Sequence, residues 1–176
     1  MDGTISSMSD GRNVITLKFI SHSPEQTQSL GIELGKHAGK GDVFLLSGDL
    51  GSGKTCLTQG IAWGLEVKEY AFSPSFVLMR EYHGRLPLYH VDFYRLDTIQ
   101  EIVDLALDEY LYGSGICVIE WSEKGIAVLP EDNLHITLEY KPECDSDRLI
   151  TLQAYGDRYR ELVESINVDL EIWNYQ

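Results

Sequence analysis

Hydrophobic residues recur with two different periods along this chain, and the two periods alternate from one segment to the next. A period of two, or a short unbroken apolar run, is typical of a β-strand, whereas spacings of three and four are typical of an amphipathic helix. Strands are predicted at 14–20, 43–46, 76–82, 88–93, 115–121, 134–140 and 148–155. Helices are predicted at 24–38, after a glycine-rich loop as far as residue 64, at 96–110, and near the end of the chain through Leu162, Ile166, Leu170 and Trp173.

About seven strands therefore interleave with four or five helices, which predicts an α/β domain of three layers. The sheet is expected to be mostly parallel or mixed, with helices on its faces. The strands at 76–82 and 88–93 lie close in sequence and are expected to be neighbours. A length of 176 residues suits one domain, which would bury about 70% of the surface of its extended chain. Residues 1–12 are expected to be disordered or derived from an expression vector.

Charge and hydropathy narrow the classes of partner. The chain has 14 basic and 28 acidic residues and a formal net charge of −14. Nucleic-acid affinity depends mainly on cations that neutralise phosphates, so tight, direct binding of RNA or DNA by this chain alone is not expected. No apolar run approaches the roughly 20 residues needed to cross a bilayer, and the polar first residues do not resemble a signal peptide. We expect a cytoplasmic protein without a membrane contact.

The most informative segment is 43–65, VFLLSGDLGSGKTCLTQGIAWGL. Gly48, Gly53, Lys54 and Thr55 match the P-loop pattern of a glycine, four residues, a glycine, a lysine and a serine or threonine. In such a loop the backbone N–H groups surround a phosphate at the N-terminus of a helix. Lys54 is expected to reach the β- and γ-phosphates, and the Thr55 hydroxyl to bind Mg²⁺. The fold is therefore predicted to be a single P-loop NTPase-like domain that spans 13–176.

A P-loop needs carboxylates that hold the metal and position water, and these usually lie where a buried strand ends beside the loop. Asp92 follows the predicted strand segment at 88–91, and Glu120 follows the one at 116–119. Either acid alone could simply be solvated at the end of its strand. Two such acids together with a P-loop favour a role for at least one of them in the chemistry.

Four segments carry a resemblance that goes beyond the P-loop. They are GDLGSGKTCLTQG at 48–60, SPSF at 73–76, HVDFYRL at 90–96 and IEWSEKG at 119–125. In order and spacing they resemble the TsaE (YjeE) family, the bacterial ATPases of tRNA threonylcarbamoyladenosine biosynthesis. Many proteins share a P-loop, whereas the HVDFYRL and IEW segments are far more specific. The resemblance covers the predicted domain from about Ile15 to Tyr155.

This resemblance implies a set of site residues. Lys54, Asp92 and Glu120 would be catalytic, and Thr55 and Glu120 would bind Mg²⁺. Asp92 would act close to the γ-phosphate of ATP, either by orienting water or as an outer-shell partner of the metal. Trp121 matches a tryptophan near the nucleotide, although by composition it is equally a core aromatic. The residues that would surround the phosphates are Leu50, Gly51, Ser52, Gly53, Lys54 and Thr55.

Three further positions are compared with the family pattern. The third residue of the SPSF segment is usually threonine and is Ser75 here, which keeps the hydroxyl and loses the methyl group. Cys56 replaces a second threonine that commonly follows the lysine–threonine pair. A thiol is a poor substitute for a hydroxyl in hydrogen bonding, so a contact from Cys56 to the α-phosphate is in question. Arg148 aligns weakly with a basic residue near the nucleotide.

Arg95 and the acidic segment after it each have two interpretations. Arg95 could form an ion pair with an acid between Asp97 and Glu109, or it could supply a charge that acts only in a complex. Between Arg95 and Lys124 there are seven acids and no lysine or arginine, which suits a solvated helix face or a docking surface for a basic partner. In the TsaE family the partners are TsaD and TsaB, so tRNA would be bound only indirectly, through the complex.

One function is preferred and two alternatives remain. The preferred function is a Mg²⁺-dependent ATPase, weak alone and activated by TsaB and TsaD, whose hydrolysis resets the tRNA-modifying complex between turnovers. The first alternative is a small-molecule P-loop kinase, although the segment after Arg95 is acidic where a basic lid is expected. The second is a nucleotide-gated adaptor with negligible turnover. The sequence has no Asn-Lys-x-Asp segment that would recognise guanine, which favours adenine.

Overall fold

The computed structural model describes residues 14–141 and 144–173, and within them seven strands and five α-helices. The strands are β1 (Ile15–Ser21), β2 (Val43–Ser47), β3 (Met79–His83), β4 (Pro87–Asp92), β5 (Ile116–Glu120), β6 (Asn133–Lys141) and β7 (Cys144–Tyr155). The helices are α1 (Pro24–His37), α2 (Lys54–Gly64), α3 (Ile99–Asp104), α4 (Asp108–Leu111) and α5 (Asp157–Trp173). The expectation for residues 1–12 lies outside the described residues.

The strands form one mixed sheet in the order β1-β7-β6-β2-β5-β4-β3. The four central strands, β6, β2, β5 and β4, run parallel to one another. Antiparallel pairs complete the edges, and β3 and β4 form the neighbouring pair that the sequence predicts. Every residue of β2 and β5 is buried, as expected for parallel strands covered on both faces. The predicted α/β fold with a mixed sheet of seven strands is confirmed.

Helices cover both faces of the sheet. Alternate residues of a strand point to opposite faces, and in β2 they belong to two separate hydrophobic cores. Phe44 and Leu46 belong to the core that contains residues of α1, α2 and α5. Val43 and Leu45 belong to the core that contains residues of α3 and α4. These two cores make the three layers that the pattern of hydrophobic residues predicts.

Glycines allow α1 and α2 to approach each other closely. Gly31 and Gly35 of α1 face Gly60 and Gly64 of α2, and a Cβ atom at any of the four would collide with the backbone of the opposite helix. A tightly packed interior does not accommodate even one added methyl group without movement. The contact therefore fixes the position of α2, and with it the loop at 48–53 that precedes this helix.

The single helix predicted at 96–110 is wrong, because two short helices occupy this segment. α3 begins only at Ile99, where Thr98 and Glu101 form a capping box. The chain then leaves the helical conformation at Ala106, which has a φ angle of 50°, and α4 starts at Asp108. Of the apolar residues whose spacing suggests one helix, Leu96 and Leu107 are buried in one core, whereas Ile99 and Val103 are exposed.

The strand predicted at 76–82 begins later, at Met79. The carbonyl oxygen of Pro74 accepts hydrogen bonds from the N–H groups of Val77 and Leu78, so the residues before the strand form a turn instead. In α5, Leu162 and Ile166 are buried as expected, whereas the side chains of Leu170 and Trp173 lie outside the described residues. None of the helices in the described part of the chain is long and apolar enough to cross a membrane.

Candidate functional site

The candidate site lies at the carboxyl edge of the parallel strands. The glycine-rich loop at 48–53 follows β2, while Glu120 ends β5 and Asp92 ends β4. In the sheet, Glu120 is paired with Leu46 of β2 on one side and with Asp92 on the other. The loop and the two acids are therefore neighbours, at the edge where ligands bind in open α/β sheets.

The glycine-rich loop leads directly into the N-terminus of α2. Gly51 and Gly53 have φ angles of 76° and 109°, a backbone region that favours glycine. α2 begins at Lys54 and has no acidic residue in its first turn. The partial positive charge of the helix N-terminus is therefore not neutralised by a side chain of that turn. A loop of this kind can present backbone N–H groups to an anion.

Side chains from β6 and β7 hold the outer side of this loop. Tyr140 Oη donates a hydrogen bond to the carbonyl oxygen of Leu50 at 2.9 Å, and Arg148 Nε donates to that of Ser52 at 3.1 Å. The Arg148 guanidinium also stacks on Tyr140, with 4.1 Å between Cζ and the ring centroid. A Cβ atom at Gly51 would lie 2.6 Å from Tyr140 Oη. The conformation of the loop is thus fixed by contacts from neighbouring strands.

Lys54 folds back over the loop that precedes it. Its Nζ atom donates hydrogen bonds to the carbonyl oxygens of Gly48 at 2.6 Å and Asp49 at 2.9 Å. The same atom lies 4.0 Å from the ring centroid of Trp121, a cation–π contact. Burial lowers the pKa of Lys54, and the nearby charge of Glu120 opposes this shift. Replacing two carbonyl contacts by a phosphate would give this ammonium group a partner of opposite charge.

Glu120 is only 2% exposed and uses both carboxylate oxygens within the protein. Oε2 accepts a hydrogen bond from Thr55 Oγ1 in the first turn of α2, at 3.0 Å. Oε1 lies 2.8 Å from Nε2 of His90, which is on the neighbouring strand β4. Thr58 Oγ1 is also near Oε1, at 3.4 Å. Glu120 is therefore attached to two regular elements, α2 and β4.

Asp92 is equally buried, at 1% exposure, but its partners lie in loops. Its Oδ2 atom accepts hydrogen bonds from Ser73 Oγ and Ser75 Oγ, both at 2.6 Å. Its Oδ1 atom accepts one from the N–H group of Tyr94 at 2.8 Å. The two serines belong to the SPSF segment, so this segment is held next to Asp92 and to the cavity described below.

A cavity of about 420 Å³ opens between the loop, the two acids and the SPSF segment. It brings together most of the residues that the sequence singles out, namely Leu50, Gly51, Gly53, Lys54, Thr55, Cys56, Ser75, Asp92, Glu120 and Trp121. Ser52 and Arg148 do not line it. Ser52 is fully buried, and Arg148 contacts the carbonyl oxygens of the loop from outside. Cys56 Sγ donates to the carbonyl oxygen of Pro24 at 3.3 Å.

Arg95 lines the same cavity without the ion pair that the sequence suggests. Its guanidinium lies over the ring of Phe76, with 4.1 Å between Cζ and the ring centroid. Among the described residues, no acid between Asp97 and Glu109 forms an ion pair with it. Phe76 itself is 83% exposed. Arg95 therefore lies at the rim of the cavity on an exposed aromatic ring.

Sequence reasoning missed three residues that shape this site. His90 and Ser73 stand within the HVDFYRL and SPSF segments without an expected role of their own, and no sequence motif contains Tyr140. His90 could have been found from its spacing, because it lies two residues before Asp92 on the same strand and so points to the same face. Tyr140 could not, because it is 90 positions from Leu50 in sequence and only the sheet brings them together.

Two side-chain oxygen atoms of residues that line the cavity fit a magnesium ion. Mg²⁺ prefers oxygen ligands and typically takes one or two carboxylates, with phosphates and water completing its coordination. Thr55 Oγ1 and Glu120 Oε2 supply such oxygens 3.0 Å apart, and both residues line the cavity. The described residues contain no group of three or more His, Cys, Asp or Glu side chains that could hold a metal without such help. The donor set thus suits a metal that arrives with a phosphate ligand.

Comparisons with known proteins agree on one family. The family model for "Threonylcarbamoyl adenosine biosynthesis protein TsaE" matches residues 21–150. A tRNA threonylcarbamoyladenosine biosynthesis protein TsaE from Bacillus subtilis is 41% identical over 152 residues, which cover 86% of this chain and 94% of that protein. The TsaE protein of Treponema pallidum is 40% identical over 136 residues, covering 77% and 99% of the two chains.

A solved structure extends the likeness to three dimensions. The crystal structure of YdiB from Bacillus subtilis superimposes with a TM-score of 0.77 at 37% sequence identity. The match covers 89% of this chain and 97% of that one. The sheet, the helices and the loop between β2 and α2 described above therefore belong to an arrangement that is already known in an experimental structure.

Proposed function

This chain belongs to the TsaE family of threonylcarbamoyl adenosine biosynthesis proteins, and we propose that it is a Mg²⁺-dependent ATPase of that pathway. One observation carries the proposal: Thr55 Oγ1 lies 3.0 Å from Glu120 Oε2 beside the glycine-rich loop, and Lys54 and Asp92 line the same cavity. A hydroxyl and a carboxylate next to a P-loop lysine are the protein groups that hold Mg²⁺ in P-loop NTPases.

In this proposal residues 50–55, which belong to the glycine-rich loop and the first turn of α2, bind the phosphates of ATP. Lys54 Nζ, which donates to the carbonyl oxygens of Gly48 and Asp49, would exchange these partners for the β- and γ-phosphates. Thr55 and Glu120 would hold Mg²⁺, which when bound offsets negative charge on the phosphates. Cys56, Ser75 and Trp121 would contact the nucleotide directly, since they line the cavity. Arg148 and Ser52 would act through the backbone of the loop.

We assign the positioning of water to Asp92. Attack by water on the γ-phosphorus forms one P–O bond and breaks the bond to the β-phosphate oxygen, which gives ADP and inorganic phosphate. Asp92 is held by Ser73, Ser75 and the N–H group of Tyr94, so its carboxylate has a defined orientation at the cavity. An outer-shell position next to Mg²⁺ is the alternative role for this residue.

The partner proteins in this proposal are those expected from the threonylcarbamoyl adenosine pathway. TsaB and TsaD would activate hydrolysis, and hydrolysis would reset their complex between rounds of threonylcarbamoyl transfer to tRNA in the cytoplasm. A net charge of −14 suits a component whose partners bind the tRNA, because anionic surfaces repel nucleic acid. Arg95, exposed at the rim of the cavity, would supply its charge only when a partner covers the rim.

A comparison of Asp92→Asn with the unchanged protein tests the assignment. We expect the variant to bind a fluorescent ATP analogue with unchanged affinity but to hydrolyse ATP about 100-fold more slowly with TsaB and TsaD present, the scale of a lost catalytic base or water-positioning group. Asp97→Asn is the matched control, because Asp97 is an exposed acid five residues further along the chain. Hydrolysis that survives in the Asp92 variant would contradict the role given to this carboxylate.

The same assay separates the two alternatives. A small-molecule kinase would transfer the γ-phosphate to an acceptor and release little inorganic phosphate in its absence. An adaptor would show nucleotide-dependent binding to TsaB and TsaD, with no loss of turnover in the Asp92 variant because there would be little turnover to lose. Release of inorganic phosphate that depends on Asp92, Mg²⁺ and both partners supports the ATPase over either alternative.

A further inference from the structure

His90 is a fully buried polar side chain beside the candidate site, and the proposed function gives it no role. It lies on β4 two residues before Asp92 and is 0% exposed. Its Nε2 atom lies 2.8 Å from Glu120 Oε1. It does not line the cavity, so it cannot contact the nucleotide or the metal directly. Whatever it does for the site, it does through Glu120.

The contacts of the ring define its tautomer. A nitrogen that lies within hydrogen-bonding distance of a carboxylate carries the hydrogen, so Nε2–H donates to Glu120 Oε1. The other ring nitrogen, Nδ1, has no hydrogen-bond partner among the described residues. An unprotonated Nδ1 fits these surroundings better than an N–H group without an acceptor, because an unmade hydrogen bond of a buried donor is costly. The ring is therefore placed as a single-hydrogen donor to Glu120.

The second group near Oε1 is a weaker donor. Thr58 Oγ1 lies 3.4 Å from Oε1 and closer, at 3.0 Å, to the carbonyl oxygen of Lys54. A hydroxyl has one hydrogen, and it serves the nearer acceptor. His90 is thus the main contact that fixes Oε1. With Oε1 fixed, the plane of the carboxylate is set and Oε2 faces Thr55 and the cavity.

We propose that His90 is a positioning residue that orients Glu120 for the metal. The proposal rests on the proposed function, because it takes Glu120 and Thr55 as the protein ligands of Mg²⁺. Packing alone does not explain an imidazole here, since an apolar side chain would fill the space without leaving a buried ring nitrogen unpaired. Partners that orient a ligating carboxylate typically change metal affinity by about 10- to 100-fold when they are removed.

Two amide substitutions separate orientation from packing. In His90→Gln the side-chain nitrogen can occupy the position of Nε2, whereas in His90→Asn the same amide is one carbon shorter and ends near the position of Nδ1. We expect His90→Asn to raise the Mg²⁺ concentration for half-maximal tightening of binding of a fluorescent, non-hydrolysable ATP analogue by about 10-fold or more. In His90→Gln this Mg²⁺ concentration should stay close to that of the unchanged protein. Affinity for the analogue in EDTA should be the same in all three proteins.

The outcomes distinguish this proposal from the proposed function. If the unchanged protein binds the analogue equally well with Mg²⁺ and with EDTA, the metal site at Thr55 and Glu120 is wrong. If the unchanged protein responds to Mg²⁺ but His90→Asn responds at the same concentration, only the role of His90 is wrong. A loss of affinity in EDTA, or a Gln variant as weak as the Asn variant, would reduce His90 to a packing residue.

A measurement on the unchanged protein avoids any folding defect of the variants. Nitrogen-15 NMR of the histidine side chains reports the tautomer of each ring and its hydrogen bonds. We expect His90 to be the Nε2–H tautomer, with a signal that shifts when Mg²⁺ is added to the analogue-bound protein. Exposed His83 is the internal control and should not shift. An Nδ1–H tautomer would overturn the proposal. A His90 signal that does not shift when Mg²⁺ is added would overturn it as well.

Discussion

Asp92 and Glu120 are neighbours at the ends of two parallel strands, yet they are held in opposite ways. The sheet pairs them directly, and both are almost fully buried. Glu120 is held by Thr55 of α2 and His90 of β4. Asp92 is held by Ser73 and Ser75 of a loop whose next residue, Phe76, is 83% exposed. The Glu120 carboxylate is thus attached to the framework, meaning the helix α2 and the strand β4. The Asp92 carboxylate is attached to a surface segment.

The difference suggests that Glu120 and Asp92 serve two separate functions, metal binding and the control of hydrolysis. The partners of Glu120 belong to elements inside the two cores, and α2 is fixed by its glycine contact with α1, so the metal-binding geometry is expected to be present in the isolated chain. The orientation of Asp92 depends on a loop that a partner protein can reach. Metal binding should then be independent of partners, while the rate of hydrolysis should respond to them.

The largest expected effect comes from Glu120→Gln, which removes the charge of the carboxylate that is attached to the framework. The Mg²⁺ concentration for half-maximal nucleotide tightening should rise by more than about 100-fold, since even an outer-shell partner contributes about 10- to 100-fold. A titration with the fluorescent analogue measures this. Glu123→Gln is the control, because Glu123 is exposed on the adjoining segment. An unchanged midpoint would remove Glu120 from the metal site.

The combined change Ser73→Ala and Ser75→Ala tests the carboxylate that is attached to the loop. It removes two hydrogen bonds to buried Asp92, and a hydrogen bond to a charged group contributes about 1.5–3 kcal/mol. Turnover with TsaB and TsaD should fall by at least about 10-fold, the loss expected from even one such bond at the low end of that range, while the Mg²⁺ midpoint stays unchanged. Ser165→Ala on the exposed side of α5 is the control. A shift of the Mg²⁺ midpoint would show that the two carboxylates are not independent.

Tyr140→Phe tests the glycine-rich loop, which lines the same cavity as the two acids. It removes the hydrogen bond from Oη to the Leu50 carbonyl oxygen and leaves the ring that Arg148 stacks on. A loss of about 1 kcal/mol, or roughly fivefold in nucleotide affinity, is expected. The loss should be equal with Mg²⁺ and with EDTA, which binding titrations under both conditions would measure. A loss seen only with Mg²⁺ would connect Tyr140 to the metal instead.

The smallest effect is expected for Arg95→Ala in the isolated chain. The contact between Arg95 and the exposed Phe76 ring contributes about 0.5 kcal/mol, the lower end of the range for exposed sites, so turnover of the isolated chain should change by about twofold. With TsaB and TsaD present the loss should be much larger. A large loss without partners would mean that Arg95 acts within this chain alone.

The sequence predicts the parts of the site that are local. The buried strand β2, the glycine-rich loop and the start of α2 follow one another along the chain, so the pattern of residues at 43–65 is enough. The position of Asp92 and Glu120 at the same edge of the sheet as the loop follows from a simple rule, because parallel strands end at the same edge of a sheet. These features need no knowledge of distant contacts.

The parts that could not be predicted depend on distant contacts or on competing local signals. The break between α3 and α4 arises because the capping box at Thr98 and the left-handed Ala106 override an apolar spacing that suits one helix. The contact of Tyr140 with Leu50 and that of His90 with Glu120 join residues 90 and 30 positions apart. Both contacts depend on strand order, which hydrophobic periodicity does not specify.

A crystal structure of the chain with Mg²⁺ and a non-hydrolysable ATP analogue tests the central claim most directly. We expect the triphosphate to lie in the loop at 50–55, with Lys54 Nζ moved from the Gly48 and Asp49 carbonyl oxygens to the β- and γ-phosphates. The metal should lie on Thr55 and Glu120, and His90 should keep its contact with Glu120 Oε1. A loop without phosphate, or a metal bound away from Glu120, would contradict the account.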